Sequence, residues 1–432
     1  MSIVGRALLV ALVAAGFSSS ARAADYYVDP VNGAPANDGS LNAPWRSLQT
    51  VIDQQPLQPG DTVWLVSGEH GSLTIRDRRN AAPVAVAAAP DATPHLDRLE
   101  VRDSTNWRFS GLAVGGLAQR GRIVVVGPGA EDITVESSTV ASADDVSGWS
   151  AGDWLQRAAD GIYVIGRRIT LRDNLIRNVK HGIQIDAADS LVEHNVIENF
   201  SGDGIRGLGD DTVYQFNTIR NCYNVDDNHD DGFQSWSVGP LGIPGTGEVV
   251  GGVVRGNRIV NYEDPDQPLR CTLQGIGMFD GMFVDWIVEN NVVIVDHWHG
   301  ITVMGARGVS IVNNTVIDPN RSQPGPPWIS ITHHKDGRPP VASVIADNLT
   351  EPRPRSKDNQ FGLPMPGVEA RGNVTVDDPM RFFVDVDRGD LRPRTGSPAF
   401  DAGAPDFVAF TDIDATPRPQ GPAVDVGVYE AR

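Results

Sequence analysis

Cysteine is almost missing from this chain, with two in 432 residues, Cys222 and Cys271. So low a count excludes a disulfide-dense scaffold and leaves room for at most one bridge. Long apolar runs are also lacking. The only one of note, Ala7 to Phe17, falls short of the roughly 20 residues that a membrane-spanning helix needs. Positive charge is scarce, with 36 Lys and Arg against 55 Asp and Glu and a net charge of -19. That balance argues against non-specific binding to nucleic acid or an anionic membrane. A polyanionic substrate stays open, because a local basic cluster or a bound cation can reverse the field inside one groove.

What the chain has instead is a phrase that returns, built on Gly followed by an aliphatic or aromatic residue. The copies are Asp160-Gly161-Ile162-Tyr163, His181-Gly182-Ile183-Gln184, Asp203-Gly204-Ile205-Arg206, Asp231-Gly232-Phe233-Gln234, Gln274-Gly275-Ile276 and His299-Gly300-Ile301-Thr302. Their glycines lie 21, 22, 28, 43 and 25 residues apart. A period in this range means a solenoid, and its length matches one coil of a parallel β-helix. About 400 residues would ordinarily suggest two or more domains, but a solenoid grows by adding coils. We expect one all-β, right-handed parallel β-helix of about ten coils.

Alternation along a strand assigns the side chains. Ile162, Ile183, Ile205, Phe233, Ile276 and Ile301 should stack inside, and Tyr163, Gln184, Arg206 and Gln234 should form an outward column. The residue before each Gly would turn inward by strict alternation. A bend at the Gly would bring Asp160, His181, Asp203, Asp231 and His299 to the edge of the outward face. Such a polar stripe makes an extended groove, a shape suited to a linear polymer such as a polysaccharide.

The first 23 residues have the pattern of a secretory signal, with Arg6, the apolar run and Ala21-Arg22-Ala23. Its removal leaves 34 basic against 55 acidic residues, or -21. A mature chain starting at Ala24 would be soluble and exported, to the periplasm or outside. Residues 24–92 should hold a cap and the first strands, with a helix starting at Ser47 to Ile52. Coils should run over 93–376, and 377–432 should form a carboxy-terminal cap. The opening segment resembles the amino-terminal cap of secreted right-handed parallel β-helix proteins, and the tail resembles the carboxy-terminal segments of such proteins.

A second phrase keeps step at Asn174, Asn195, Asn217, Asn257, Asn291, Asn314, Asn348 and Asn373. Asn tolerates bends and bonds neighbouring backbone, so a structural ladder is expected here rather than ligand binding. The two cysteines lie just outside Gly phrases. They either pair, stapling loops beside the groove, or remain as buried thiols.

Seven of the nine histidines fall between His181 and His334. The densest motif is Asp226-Asp227-Asn228-His229-Asp230-Asp231-Gly232-Phe233-Gln234-Ser235-Trp236. Within it, Asp227-Asn228-His229-Asp230 resembles the Asp-Pro-His-Asp signature of periplasmic mannuronan C5-epimerases, with Asn228 in place of proline. More broadly, the chain resembles β-helix polysaccharide lyases and epimerases. That resemblance implies removal of the C5 proton of a uronate, which needs a base, an acid and a group that neutralises the carboxylate.

Set against that chemistry, His229 is the candidate base, oriented by Asp227 or Asp230. Arg206 and Lys180 are the candidate neutralisers, His181 a second proton carrier, and Tyr163 or Tyr223 the acid. Gln184, Asp203, Asp231, Gln234, Trp236, His299 and His333 are candidate substrate contacts, His333 either lining the groove or lying in a loop. In His297-Trp298-His299 the two histidines should share a face, suited to a metal or a sugar, with Trp298 turned inward. The carboxylates allow other uses: Asp203, Asp230 and Asp231 as the set of an inverting glycosidase, or Asp203, Asp227 and Asp231 as calcium ligands. The favoured reading is an exported lyase acting on an acidic polysaccharide by β-elimination. C5-epimerisation comes next, then hydrolysis, then a glycan-binding or adhesion solenoid.

Overall fold

The computed structural model describes residues 23–261, 266–318, 320, 324–351 and 365–431. The expected signal segment, up to Arg22, lies outside them. Short strands separated by bends wind into stacked coils, and nearly all pairings between coils are parallel. A sheet of 22 strands and a second of 12 strands form the walls. The larger sheet consists of two ladders joined through Arg122–Glu136.

One of these, the groove ladder, carries the Gly phrases. It runs through Ser72–Arg76, Arg98–Arg102, Arg122–Glu136, Asp160–Arg167, Ile183–Ala188, Ile205–Gly207, Asp231–Trp236, Gln274–Asp280, His299–Met304 and Trp328–Thr332. Its register sets Ile162, Ile183, Ile205, Phe233, Ile276, Ile301 and Ile329 in one inward column. All seven are at most 1% exposed, and each buried side chain of this size stabilises the stack by roughly 2 kcal/mol. The outward column is Tyr163, Gln184, Arg206, Gln234, Gly277, Thr302 and Ser330.

The glycine at the bend is a packing requirement. A Cβ on Gly204 would stand 2.5 Å from Ile219 Cγ2 and 2.6 Å from the Gly232 carbonyl oxygen. The opposite wall and the next coil already fill that space.

The asparagines form the expected ladder. From Asn195 through Asn373, each accepts from the backbone N–H and side-chain amide of the Asn one coil before it. The left-handed backbone falls on the residue before each Asn, with φ of 54° at His194, 54° at Phe216 and 55° at Asn290. The bend therefore turns one residue earlier than the phrase suggests, and the Asn is free to bond along the stack.

The helix Leu48–Gln54 is capped by the Ser47 hydroxyl and buries Leu48, Val51 and Ile52. Parallel stacking begins before residue 93, since Asp25–Val28 already pairs with Thr62–Leu65. The final segment covers the side of the last coils. Phe382, Phe383, Leu391, Val426 and Val428 pack on Val260, Val292, Ile294, Ile317 and Leu349. Val428 N–H donates to Thr315 Oγ1 and Ala409 N–H to Asn313 Oδ1. Among the described residues no helix is long and apolar enough to cross a membrane.

Candidate active site

Insertions between coils rise beside the groove and close a cavity of about 600 Å³. It is lined by Arg206, Asn228, His229, Gln234, Ser235, Trp236, Pro244, Gln274, Phe279, Asp280, His299, Met304 and Lys335. Three devices hold the walls. Cys222 and Cys271 are joined in a disulfide, with Cα atoms 5.5 Å apart, which staples the segment bearing His229. The His334 ring bridges Gly245 O at 3.0 Å and Asp336, tying down the Gly- and Pro-rich loop 238–247. Lys335 pairs with Asp280 at 2.6 Å.

The floor is a buried relay. Asp203 is fully buried and accepts from Arg206 Nε at 2.5 Å, while its other oxygen accepts from Asp231 N–H at 3.0 Å. Asp231, also fully buried, accepts from Gln234 Nε2 at 3.0 Å and meets His229 Nδ1 at 3.3 Å. Burial lifts the Asp231 carboxyl, and the bond to Asp231 lifts His229 above the ordinary histidine range. The imidazole therefore holds its proton to higher pH than an unpartnered histidine. The His229 side chain is 61% exposed, and with Nδ1 engaged, Nε2 is the nitrogen available to the cavity.

Gly277 explains how Asp231 fits. A Cβ there would lie 2.3 Å from Asp231 Oδ1 and 2.4 Å from the Phe279 ring. The outward column gives up one side chain so that a carboxylate and an aromatic ring can occupy its place. Phe279 separates the two accessible histidines, its centroid 6.4 Å from that of His229 and 4.9 Å from that of His299. His299 Nδ1 meets Thr302 Oγ1 at 2.9 Å, and Trp328 Nε1 donates to the same oxygen at 3.0 Å.

Several expectations change. Asp231, not Asp227 or Asp230, holds His229. Asp227 is exposed, whereas Asp230 is buried 3.4 Å from Cys222 Sγ, with its carboxyl pushed up to about 8 by burial. Asp203, Asp230 and Asp231 therefore do not face one sugar, and Asp203, Asp227 and Asp231 do not converge as a calcium set. Burial pushes His181 down to about 2, and its Nδ1 accepts from Asp203 N–H at 3.0 Å. It is a neutral positioning group rather than a proton carrier.

Lys180, Tyr163 and Gln184 lie on earlier coils outside the cavity lining. Tyr163 is covered by the Arg122 guanidinium at 3.3 Å. Tyr223 is buried against Trp154, ring centroids 4.5 Å apart, in a structural cluster. His333 is exposed and lines no part of the cavity, where its neighbour Lys335 takes part. Trp298 is turned outward, 44% exposed. His297 and His299 do share a face, their rings stacked at 5.2 Å, but His297 Nδ1 accepts from His299 N–H. Among the described residues no third ligand joins them.

Phe279 and Asp280 belong to the site although no motif marked them, as does Gln274, which opens a Gly phrase but was given no role. Only the second glycine in Gly275-Ile276-Gly277 hinted that this coil differs.

A family model described as a right handed beta helix region matches residues 160–324. The chain is a right-handed parallel β-helix. Among solved structures this β-helix is similar to a mannuronic acid specific polysaccharide family 6 lyase from human gut microbiota. Identity is 14%, covering 83% of this chain and 92% of that one, with a TM-score of 0.50. A pectate lyase matches at 15% identity over 95% of this chain and 96% of its own, with a TM-score of 0.49. The A-module of an Azotobacter vinelandii mannuronan C-5 epimerase matches at 15% over 73% and 91%, also at 0.49. Identities this low establish a common fold alone. No curated protein matches the β-helix in sequence.

Proposed function

We propose that this chain is an exported enzyme that processes a uronate-containing polysaccharide in the cavity around His229, most directly by β-elimination. The observation that carries the reading is the His229–Asp231 pair: an accessible imidazole held by a fully buried carboxylate at 3.3 Å on the floor of a long groove. His229 Nε2 takes the C5 proton, the electrons of the C5–H bond form the C4–C5 double bond, and the C4–O bond breaks. The leaving oxygen takes a proton from an acid across the cavity, a role that suits His299. Arg206 spends Nε on Asp203, which leaves its terminal amino groups to neutralise the uronate carboxylate.

Epimerisation is the second reading. It starts with the same abstraction and ends with a proton returned to the opposite face of C5, so the same residues serve. Hydrolysis is disfavoured because Asp203 and Asp231 are fully buried and engaged by Arg206 and His229, while Asp230 is buried beside Cys222.

The test is ultraviolet absorbance of the unsaturated uronate during incubation with mannuronan and pectate, beside His229→Ala. A rise that disappears in the variant supports elimination. With no rise, proton NMR of the polymer in D₂O separates epimerase from inactive protein, since C5 exchange without cleavage identifies the former. Absence of both sinks the enzymatic reading.

A further inference from the structure

Beyond His299, on the carboxy-terminal side of the cavity, two tryptophans lie parallel. The Trp298 and Trp328 rings are 6.2 Å apart with 5° between their planes. Trp328 is anchored: it pairs with His299 in register, its ring meets His299 edge-on at 5.2 Å, and its Nε1 donates to Thr302 Oγ1. Trp298 is held by its backbone oxygen, which accepts from Trp328 N–H at 2.8 Å, and by the tilted His297 ring at 5.3 Å. Even so it keeps 44% of its surface exposed. Trp298 therefore presents a flat apolar surface, parallel to Trp328, to solvent. The aromatic series Phe279, His299, Trp328, Trp298 is continuous from the cavity floor outward.

We infer that Trp298, backed by Trp328, is a sugar-stacking subsite that grips the polysaccharide two coils beyond His229. This rests on the function proposed above. The C–H face of a pyranose is apolar and flat, which matches an indole, and its hydroxyls remain at the rim. Successive coils are about 4.8 Å apart, so a polymer laid along the groove from Arg206 past His229 and His299 runs onto this ring. A single platform beside a titratable cavity suits a processing enzyme that positions its chain; a passive binding surface would repeat such platforms along the groove.

The test uses the full chain in a His229→Ala background, so that binding is read without turnover. Titration calorimetry with mannuronan and with polygalacturonate is compared for Trp298, Trp298→Phe and Trp298→Ala. The inference expects Trp298→Ala to weaken binding roughly tenfold, the order expected for loss of one aromatic face, and Trp298→Phe to recover part of it. Circular dichroism should be unchanged, because the side chain lies outside the core. Unaltered affinity in Trp298→Ala, with binding otherwise intact, would overturn the subsite and leave the proposed function standing. Failure of every form to bind either polymer would overturn both the polyuronate reading and the subsite that rests on it.

Discussion

Replacing Asp231 by Asn should lower the titration midpoint of His229. The residue is fully buried and its Oδ2 meets His229 Nδ1 at 3.3 Å, so the carboxylate stabilises the imidazolium. A hydrogen bond to a charged group is worth about 1.5–3 kcal/mol when shielded. The His229 side chain is 61% exposed, and solvent screening reduces the benefit to about 1 kcal/mol. The direction is fixed: His229 is raised by Asp231, so a neutral amide lets the proton leave at lower pH. Carbon-13 histidine NMR reads this without any substrate, with the His229 signal assigned by its loss in His229→Gln. The acidic limb of the kcat/KM profile, where His229 must lose its proton to act as the base, should move the same way. A midpoint that stays or rises in Asp231→Asn would refute the pairing as the source of the shift.

Four further outcomes follow from the same geometry. Gly277→Ala should keep the fold but abolish activity, because its Cβ would displace the Asp231 carboxylate and the Phe279 ring; circular dichroism beside the turnover assay checks it. Asn257→Ala should destabilise by about 3–5 kcal/mol in denaturant unfolding, since it strips partners from Asn217, Asn291 and the Tyr214 carbonyl, each buried orphan costing about 1–3 kcal/mol. Asp230 has its folded-state carboxyl raised from 3.8 to about 8, so the unfolded chain loses that proton first and folding stability is lost as pH rises through that window. Asp230→Asn should therefore raise Tm by an amount that grows from acid to neutral pH, and a gain largest at acid pH would contradict this. Reducing Cys222–Cys271, which spans 49 residues, should lower stability by up to about 4 kcal/mol on the chain-entropy account, read as a drop in Tm with reductant.

Much of this was legible in the linear chain for a physical reason: a solenoid repeats its local constraints. Ile183 and Ile205 announce the inward column because each coil must fill the same interior, and Asn195 and Asn217 announce the ladder because each bend leaves the same backbone groups to satisfy. The site breaks the repeat, and there the pattern fails in proportion. Asp227, Asp230 and Asp231 are near neighbours in sequence, yet a bend sends one to solvent, one against a disulfide and one under His229. Their identical chemistry gives no hint of that division.

Phe279, near the end of a groove strand, and Lys335, in the loop after Trp328–Thr332, reach the cavity from separate coils, a meeting that no period encodes. Trp298 shows the same limit from the other side. Alternation alone turns it inward, yet it stands outward, parallel to Trp328 of the next coil. Where one coil merely repeats its neighbour, periodicity predicts the structure; where a residue must cooperate with a different coil, only the stacked fold reveals it. Those departures from the repeat are where chemistry is to be sought. The glycine at 277, which interrupts a column of side chains to admit a carboxylate, is the clearest such mark in this chain.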